Sequence, residues 1–363
     1  MGDTHGTIRL GAAQVAEVYH DREATIEKDC RYIHEAGEMG VDFLAFPEFH
    51  VAASPYWFQY DDEYEGFQQY YRAMFDEAVT VPGPAVDRLR EAAREAGVAV
   101  SVGVNEKRPK TAGTMYNSQV FIDADGTLLG VRRKLAPTRE ERLYHTGGTG
   151  EDVRTFESSL GTLGGLMCGE HTNPLAVYAT LALGEELHAA AWPAMPQPER
   201  DPDFRERHIY SRTRYHAFAG KMPTASATGV VTDELADAVG GMPDTYADSG
   251  TTAILAPDGD FLAGPKHEGE GIVHADIDMG TRVEGKAYHD VTGHYNRFDV
   301  FELSVDRRRH EPIVTRDGEA ATGGETAAVE SALSTLRAAA SQEGDDELAG
   351  EIERLARRFD GDE

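Results

Sequence analysis

Lysine, cysteine and tryptophan are all scarce in this chain: seven lysines, two cysteines and two tryptophans among 363 residues. Two cysteines cannot build the disulfide framework of a small secreted domain, so each thiol must be judged as packing or as chemistry. No apolar run approaches the roughly 20 residues that cross a bilayer. The first residues, Met1-Gly-Asp-Thr-His5, carry neither the basic nor the apolar region of a secretory leader. A cytoplasmic protein is expected. Clustered positive charge is also missing: 35 Lys and Arg stand against 64 Asp and Glu, a formal net charge of -29. Phosphate backbones are bound through clustered cations, so nucleic acid is not an expected partner.

The quality of that charge says more than its size. Cations are mostly arginine, and acids are spread along the whole chain. At ~1 M salt the Debye length falls to about 3 Å, and like charges barely repel. In dilute buffer the same charges push a fold apart. The composition suits a protein of a halophile.

Strands and helices alternate. Apolar runs at 8–15, 41–46, 98–104, 160–167, 187–191 and 271–277 read as strands. Residues 22–39 place Ile26, Cys30, Ile33 and Ala36 at helical spacing, which assigns Cys30 to the core. Gly83-Pro84 opens a second helix, and Asn173-Pro174 opens a third with Asn173 as its cap. Residues 204–219 read as a further helix. Turn signals at 123–126 and 257–259 mark two hairpins. The pattern predicts mixed sheets covered by helices in one α/β domain, residues 1–314. Residues 315–363 read as an acidic tail, with a linker at 317–325, short helices at 327–340 and 348–359, and disorder at 344–347 and 360–363.

Three strand ends carry reactive groups. Cys168 follows an apolar strand and sits among Gly164, Gly165 and Gly169, a turn that presents its thiol. A free thiol with a pKa of about 8.5 is mostly protonated at neutral pH, so it needs a base. Glu48 ends the apolar run Phe43-Leu-Ala-Phe46 and Pro47; poor solvation there raises a carboxylate toward the range of a general base. Lys134 follows Arg132 and Arg133 at the end of the first hairpin. A scarce lysine beside two arginines suggests a compact cation for a developing anion. Glu170 and His171 adjoin the thiol, but neighbouring side chains cannot all face one centre, so both read as loop support. The remaining histidines show no metal-ligand spacing.

Thiol, carboxylate and ammonium at strand ends together resemble the nitrilase superfamily of carbon–nitrogen hydrolases. Phe46-Pro-Glu48 is similar to its glutamate motif. Arg133-Lys-Leu-Ala-Pro-Thr138 with Glu141-Arg142 resembles its lysine motif in the nitrilase branch. Gly165-Leu-Met-Cys168-Gly-Glu-His171, Asn173-Pro-Leu175 and Ala191-Trp-Pro193 resemble the cysteine motif, and Gly293-His-Tyr-Asn-Arg-Phe-Asp-Val-Phe301 a late nitrilase segment. The resemblance runs from about residue 8 to 312. It implies an αββα four-layer sandwich, a Glu48–Lys134–Cys168 triad assisted by Glu141, and no metal or cofactor. It further implies nitrile hydrolysis through a cysteine thioimidate and thioester, with the Gly169 N–H stabilising the intermediates. A homodimer or larger homo-oligomer through residues 176–184 is also implied. Tyr56, Trp57, Gly169, Trp192 and Met195 are the candidate substrate contacts. Three positions depart from the family pattern: Gly169 stands where Trp is usual, Val51-Ala-Ala-Ser-Pro55 replaces a Gly-Tyr-Pro loop, and Arg297-Phe-Asp299 replaces Arg-Pro-Asp. The first two bear on which substrate fits.

Other classes are an amidase or cyanide-converting enzyme of the same fold, a non-catalytic binding relative, and a redox-sensing thiol protein. The intact Glu48, Lys134 and Cys168 argue against the binding relative. A redox sensor lacks a resolving cysteine, since Cys30 lies on a helix. Salt adaptation has its own test: the melting temperature in about 3 M KCl should lie well above that in about 0.1 M KCl, and equal values would contradict it.

Overall fold

The computed structural model describes residues 6–56, 64–198, 201, 203–246 and 248–308. Trp57 and the tail expected at 315–363 lie outside the described residues.

Strand β1 (Thr7–Val15) is the spine. Its Leu10–Ala12 segment pairs in parallel with β2 (Phe43–Ala45), beyond which lie β3 (Ala99–Lys107), β4 (Met115–Ile122) and β5 (Leu128–Arg133). Its other edge pairs antiparallel with β12 (Gly271–Asp278). At its end Gln14 and Val15 pair instead with Thr228 and Gly229 of β9 (Thr224–Gly229). Around β9 lie β8 (Leu187–Trp192), β7 (Gly161–Met167) and β6 (Phe156–Ser158) on one side, and β10 (Thr252–Leu255) with β11 (Phe261–Lys266) on the other. The sheet thus folds into two halves that touch where β1 meets β9. The two hairpins, 115–133 and 252–266, form at the expected turns.

The halves face each other across a core of Leu10, Phe43 and Ala99 against Leu163, Leu187 and Ile254. Helices α1 (Arg22–Glu38) and α3 (Pro84–Ala96) cover the first half, packing Ile26, Ile33, Val86 and Leu89 on Val15, Leu44 and Val100. Helix α4 (Pro174–Ala182) covers the second, with Val177 and Leu181 on Leu166 and Met222. Beside it, α5 (Ser211–Gly220) packs Ala217 on Ala253 and Leu255. These are the four layers, α, β, β and α. Asn173 caps α4 as expected, accepting from the Leu175 N–H at 3.0 Å. Cys30 differs from expectation in degree: it packs at the edge of the α1–α3 core, half-buried, with Sγ 3.8 Å from the Arg88 carbonyl. Helix α2 (Tyr64–Glu77), α6 (Asp233–Ala238), α7 (Gly280–Lys286) and β9 were not apparent from periodicity.

The segment leaving β2 binds both halves. Phe46 N–H donates to Ser101 of β3 at 2.8 Å, and Glu48 N–H to Trp192 of β8 at 3.3 Å. Gly103 of β3 makes this crossing possible, because a Cβ there would lie 2.1 Å from the Pro47 carbonyl oxygen and 2.9 Å from Glu48 Cα. Gly103→Ala should cost about 1–3 kcal/mol of stability through overpacking, read as a lower unfolding midpoint in molar salt. An unchanged midpoint would show that the Pro47–Glu48 segment has room to move.

Candidate active site

The Glu48 segment arrives from β2, Lys134 ends β5, and Cys168 ends β7. Glu141 lies in a short 3-10 turn, Arg139–Leu143, that follows Lys134. Lys134 is fully buried between two carboxylates. Its Nζ donates to Glu48 Oε1 at 2.7 Å and to both oxygens of Glu141 at 2.8 and 2.9 Å. Burial opposes charge on Lys134, but Glu48 and Glu141 outweigh it and hold the ammonium well above its usual range. Glu48 Oε1 also accepts from Asn117 Nδ2 at 2.6 Å. Glu48 Oε2 is buried and has no hydrogen-bond partner among the described residues. Burial first, and the Glu141 charge with it, push Glu48 up to about 7 against the pull of Lys134.

Cys168 sits where β7 gives way to the 3-10 turn Cys168–Thr172, with φ at +44°. Phe49, after Glu48, is likewise left-handed at +59°. Such residues cost of order 1 kcal/mol each and persist where their surroundings hold them. Burial, and then the Glu48 charge, push the Cys168 thiol up to about 12, although Lys134 draws it down. The resting thiol is therefore protonated, and its proton needs an acceptor.

Glu170 and His171 are structural supports. Glu170 takes both arms of Arg132 at 2.7 Å and accepts from Leu135 N–H at 2.8 Å and Met167 N–H at 3.0 Å. One buried carboxylate thereby ties the end of β5 to the end of β7, one residue from Lys134 and one from Cys168. His171 Nδ1 donates to the Cys168 carbonyl at 3.0 Å.

A cleft of about 640 Å³ opens beside Glu141, lined by Phe49, Tyr56, Tyr144, Pro193 and Met195. Of the candidate substrate contacts, Tyr56 and Met195 line it. Gly169 lines an adjoining recess of about 410 Å³ with Thr138, Arg142 and Arg212. A Cβ on Gly169 would stand 2.9 Å from Thr138 Oγ1, so Thr138 occupies the space a side chain would take. Trp192 is buried under Cys168 and Met195, its ring stacked on His171 at 4.9 Å. The late segment 293–301 lies on α4, where Asn296 donates to the Tyr178 hydroxyl at 2.6 Å.

Three features escaped the sequence reading. Asn117 had one signal, the polar run Asn117-Ser-Gln119 inside an apolar strand. Arg212, with its guanidinium 5.0 Å from the Trp192 ring, had none. The histidines show no metal-ligand spacing in the sequence, yet His188 and His216 join Glu185 in a buried cluster close enough to hold a metal ion; its carboxylate takes both imidazoles as hydrogen-bond partners.

The model of the carbon-nitrogen hydrolase family matches residues 9–287, and the chain belongs to that family. It is 38% identical over 327 residues to a protein named Nitrilase 3 from an unknown prokaryotic organism, covering 88% of this chain and 96% of the relative. An aliphatic nitrilase of Rhodococcus rhodochrous is 34% identical over 324 residues, 86% of this chain and 83% of that one. The fold matches a carbon-nitrogen hydrolase from Helicobacter pylori G27 with a TM-score of 0.64 at 21% identity, covering 82% of this chain and 97% of the other. An amidase from Nesterenkonia sp. gives a TM-score of 0.56 at 18% identity, covering 79% and 96%. The protein is a hydrolase acting on carbon–nitrogen bonds.

A thiol that hands its proton to Glu48, a carboxylate pushed up to about 7, would have a distinctive pH response. Protonated Glu48 cannot accept the Cys168 proton, so reactivity is lost as pH falls through that value and levels off above it. Alkylation of Cys168 by iodoacetamide, followed by peptide mass, should rise about tenfold per pH unit below 7 and then flatten. A rate that climbs steadily through about pH 9 would mean that the thiol ionises alone.

Proposed function

We propose that this protein is a nitrilase, which hydrolyses an organic nitrile to its carboxylic acid and ammonia through a covalent bond to Cys168. The observation that carries the reading is the unpartnered Oε2 of Glu48, in a carboxylate whose other oxygen is held by Asn117 and Lys134. The strong likeness to proteins named as nitrilases supports it.

Glu48 takes the thiol proton as sulfur attacks the nitrile carbon, and that proton passes to the nitrile nitrogen to give a thioimidate. A water then adds to this carbon, giving one proton to Glu48, which returns it to the nitrogen, and the proton of the new hydroxyl follows through the same carboxylate as the carbon–nitrogen bond breaks. Ammonia leaves and a thioester remains. A second water, deprotonated by Glu48, attacks the thioester; the carbon–sulfur bond breaks, the thiolate regains its proton, and the acid departs. Two waters are consumed for each nitrile. Lys134 and the Gly169 N–H offset the negative charge of each tetrahedral intermediate. Glu141 fixes Lys134 with two hydrogen bonds and keeps it charged. Phe49, Tyr56, Tyr144 and Met195 suit a weakly polar substrate. Copies assemble through α4, where Leu175 in its first turn and Leu183 just past its end are solvent-exposed in the single chain.

Assayed in molar salt, the wild type should release acid and ammonia in equal amounts from at least one aliphatic or aromatic nitrile. Cys168→Ala should lose at least about 10³-fold in turnover. A Cys168→Ala protein with full turnover would refute the mechanism, and amide as sole product would assign the chain to a different reaction.

A further inference from the structure

Beneath the cysteine turn, four titratable side chains form one continuous hydrogen-bonded line. His171 Nδ1 meets the Cys168 carbonyl at 3.0 Å, and His171 Nε2 meets His188 Nε2 at 3.0 Å. His188 Nδ1 meets Glu185 Oε1 at 2.5 Å, and Glu185 Oε2 meets His216 Nε2 at 3.1 Å. All four side chains are buried. Gly164 of β7 is glycine because a Cβ there would lie 2.0 Å from Glu185 Oε1. The strand that delivers Cys168 is thus shaped around this carboxylate.

Counting protons decides what the line contains. A carbonyl only accepts, so His171 Nδ1 carries hydrogen. Each of the other three contacts needs one hydrogen between its two atoms. Four contacts therefore need four protons. Three neutral imidazoles and a carboxylate hold three, including the one His216 places on Nε2; its Nδ1 has no partner. With three, some pair of lone pairs faces each other among fully buried side chains, and the cluster carries a net negative charge. One more proton closes every contact and leaves the cluster neutral. The charged groups nearest to it are already engaged: Arg132 with Glu170, Arg282 with Glu186 and the Glu185 carbonyl, and Arg212 over Trp192. Burial opposes a second proton on His188, as does His216, while Glu185 favours one. Taken singly, burial and then His216 draw His188 down to about 4, and Glu185 is held low, against its burial, by His188 and His216; the hydrogen-bond count instead assigns the fourth proton to the 2.5 Å Glu185–His188 contact as a unit.

We propose that Glu185, His188, His216 and His171 are a proton-loaded network that sets the Cys168–Gly169 peptide, making His171 a positioning residue for the nucleophile. Two effects reach the reacting atoms. The donation to the Cys168 carbonyl holds the left-handed turn that aims the thiol. It also polarises the same peptide group whose N–H, on Gly169, faces the intermediate in the proposed reaction. The inference rests on that reaction for its second effect only.

Glu185→Gln is the discriminating variant. Its amide N–H can donate to His188 Nδ1 while its oxygen accepts from His216, so three neutral imidazoles then complete all four contacts. Glu185→Gln should keep kcat within about threefold of wild type, whereas Glu185→Met should lower it at least about tenfold. His171→Phe, which can retain the stacking on Trp192, should lower kcat at least about tenfold with KM within about twofold. The same ranking should appear in the alkylation rate of Cys168, measured by peptide mass and independent of any nitrile. If no nitrile is turned over but the alkylation ranking holds, the reaction is wrong and the network stands. A Glu185→Gln protein as impaired as Glu185→Met would overturn the network, because a charge and not a hydrogen-bond count would then be needed. So would a His171→Phe protein with unchanged kcat and alkylation, or zinc bound in equimolar amount to the purified protein.

Discussion

A single buried ammonium between two carboxylates organises this protein. With both carboxylates ionised, Lys134, Glu48 and Glu141 carry one excess negative charge in a site where Lys134 and Glu48 are fully buried and Glu141 borders the cleft. Low polarity strengthens each attraction and makes the excess charge costly. The geometry shares that cost unequally. Glu141 receives two hydrogen bonds from Lys134, whereas Glu48 receives one and keeps an oxygen without a partner. Burial, with the Glu141 charge, pushes Glu48 up to about 7, and burial, then the Glu48 charge, opposes ionisation of the Cys168 thiol against the pull of Lys134. Burial and this arrangement of charge together leave a protonated thiol and a carboxylate pushed up to about 7 in one site.

Holding that arrangement takes most of the surrounding fold. Gly103 lets the Glu48 segment cross β3, and Asn117 fixes one carboxylate oxygen. Arg132 and Glu170 tie together the two strand ends that carry Lys134 and Cys168. Breaking such a buried pair by removing one partner leaves an uncompensated charge, typically about 3–5 kcal/mol, so this clamp is sensitive to any single change. Left-handed backbone at Phe49 and Cys168 is kept in place by the same contacts.

Much of this was legible in the chain. Apolar strands that end in Glu48, Lys134 and Cys168 announce themselves, since each reactive residue directly follows a periodic run. The supporting groups did not. Asn117, Arg132 and Glu170 act through partners dozens of residues away, and no local pattern marks a long-range pair. His188 and His216 are separated by a strand, a loop and a helix, so their common carboxylate, Glu185, is visible only once β8 and α5 are packed. Strand β9, Thr224-Ala-Ser-Ala-Thr-Gly229, escaped detection because its central place beside β1 demands small side chains rather than the large apolar ones that signal a strand. Cys30 looked fully internal because helical periodicity gives a face, not a depth.

The central claim is that Glu48 changes protonation near neutrality while Lys134 stays charged. Infrared difference spectra of the full protein in molar salt, taken between about pH 8.5 and about pH 5.5, test it most directly. A protonated-carboxyl band should grow in with a midpoint near 7, persist in Cys168→Ala and vanish in Glu48→Gln. A band that survives in Glu48→Gln, or that grows in only near the pH of an ordinary glutamate, would contradict the account.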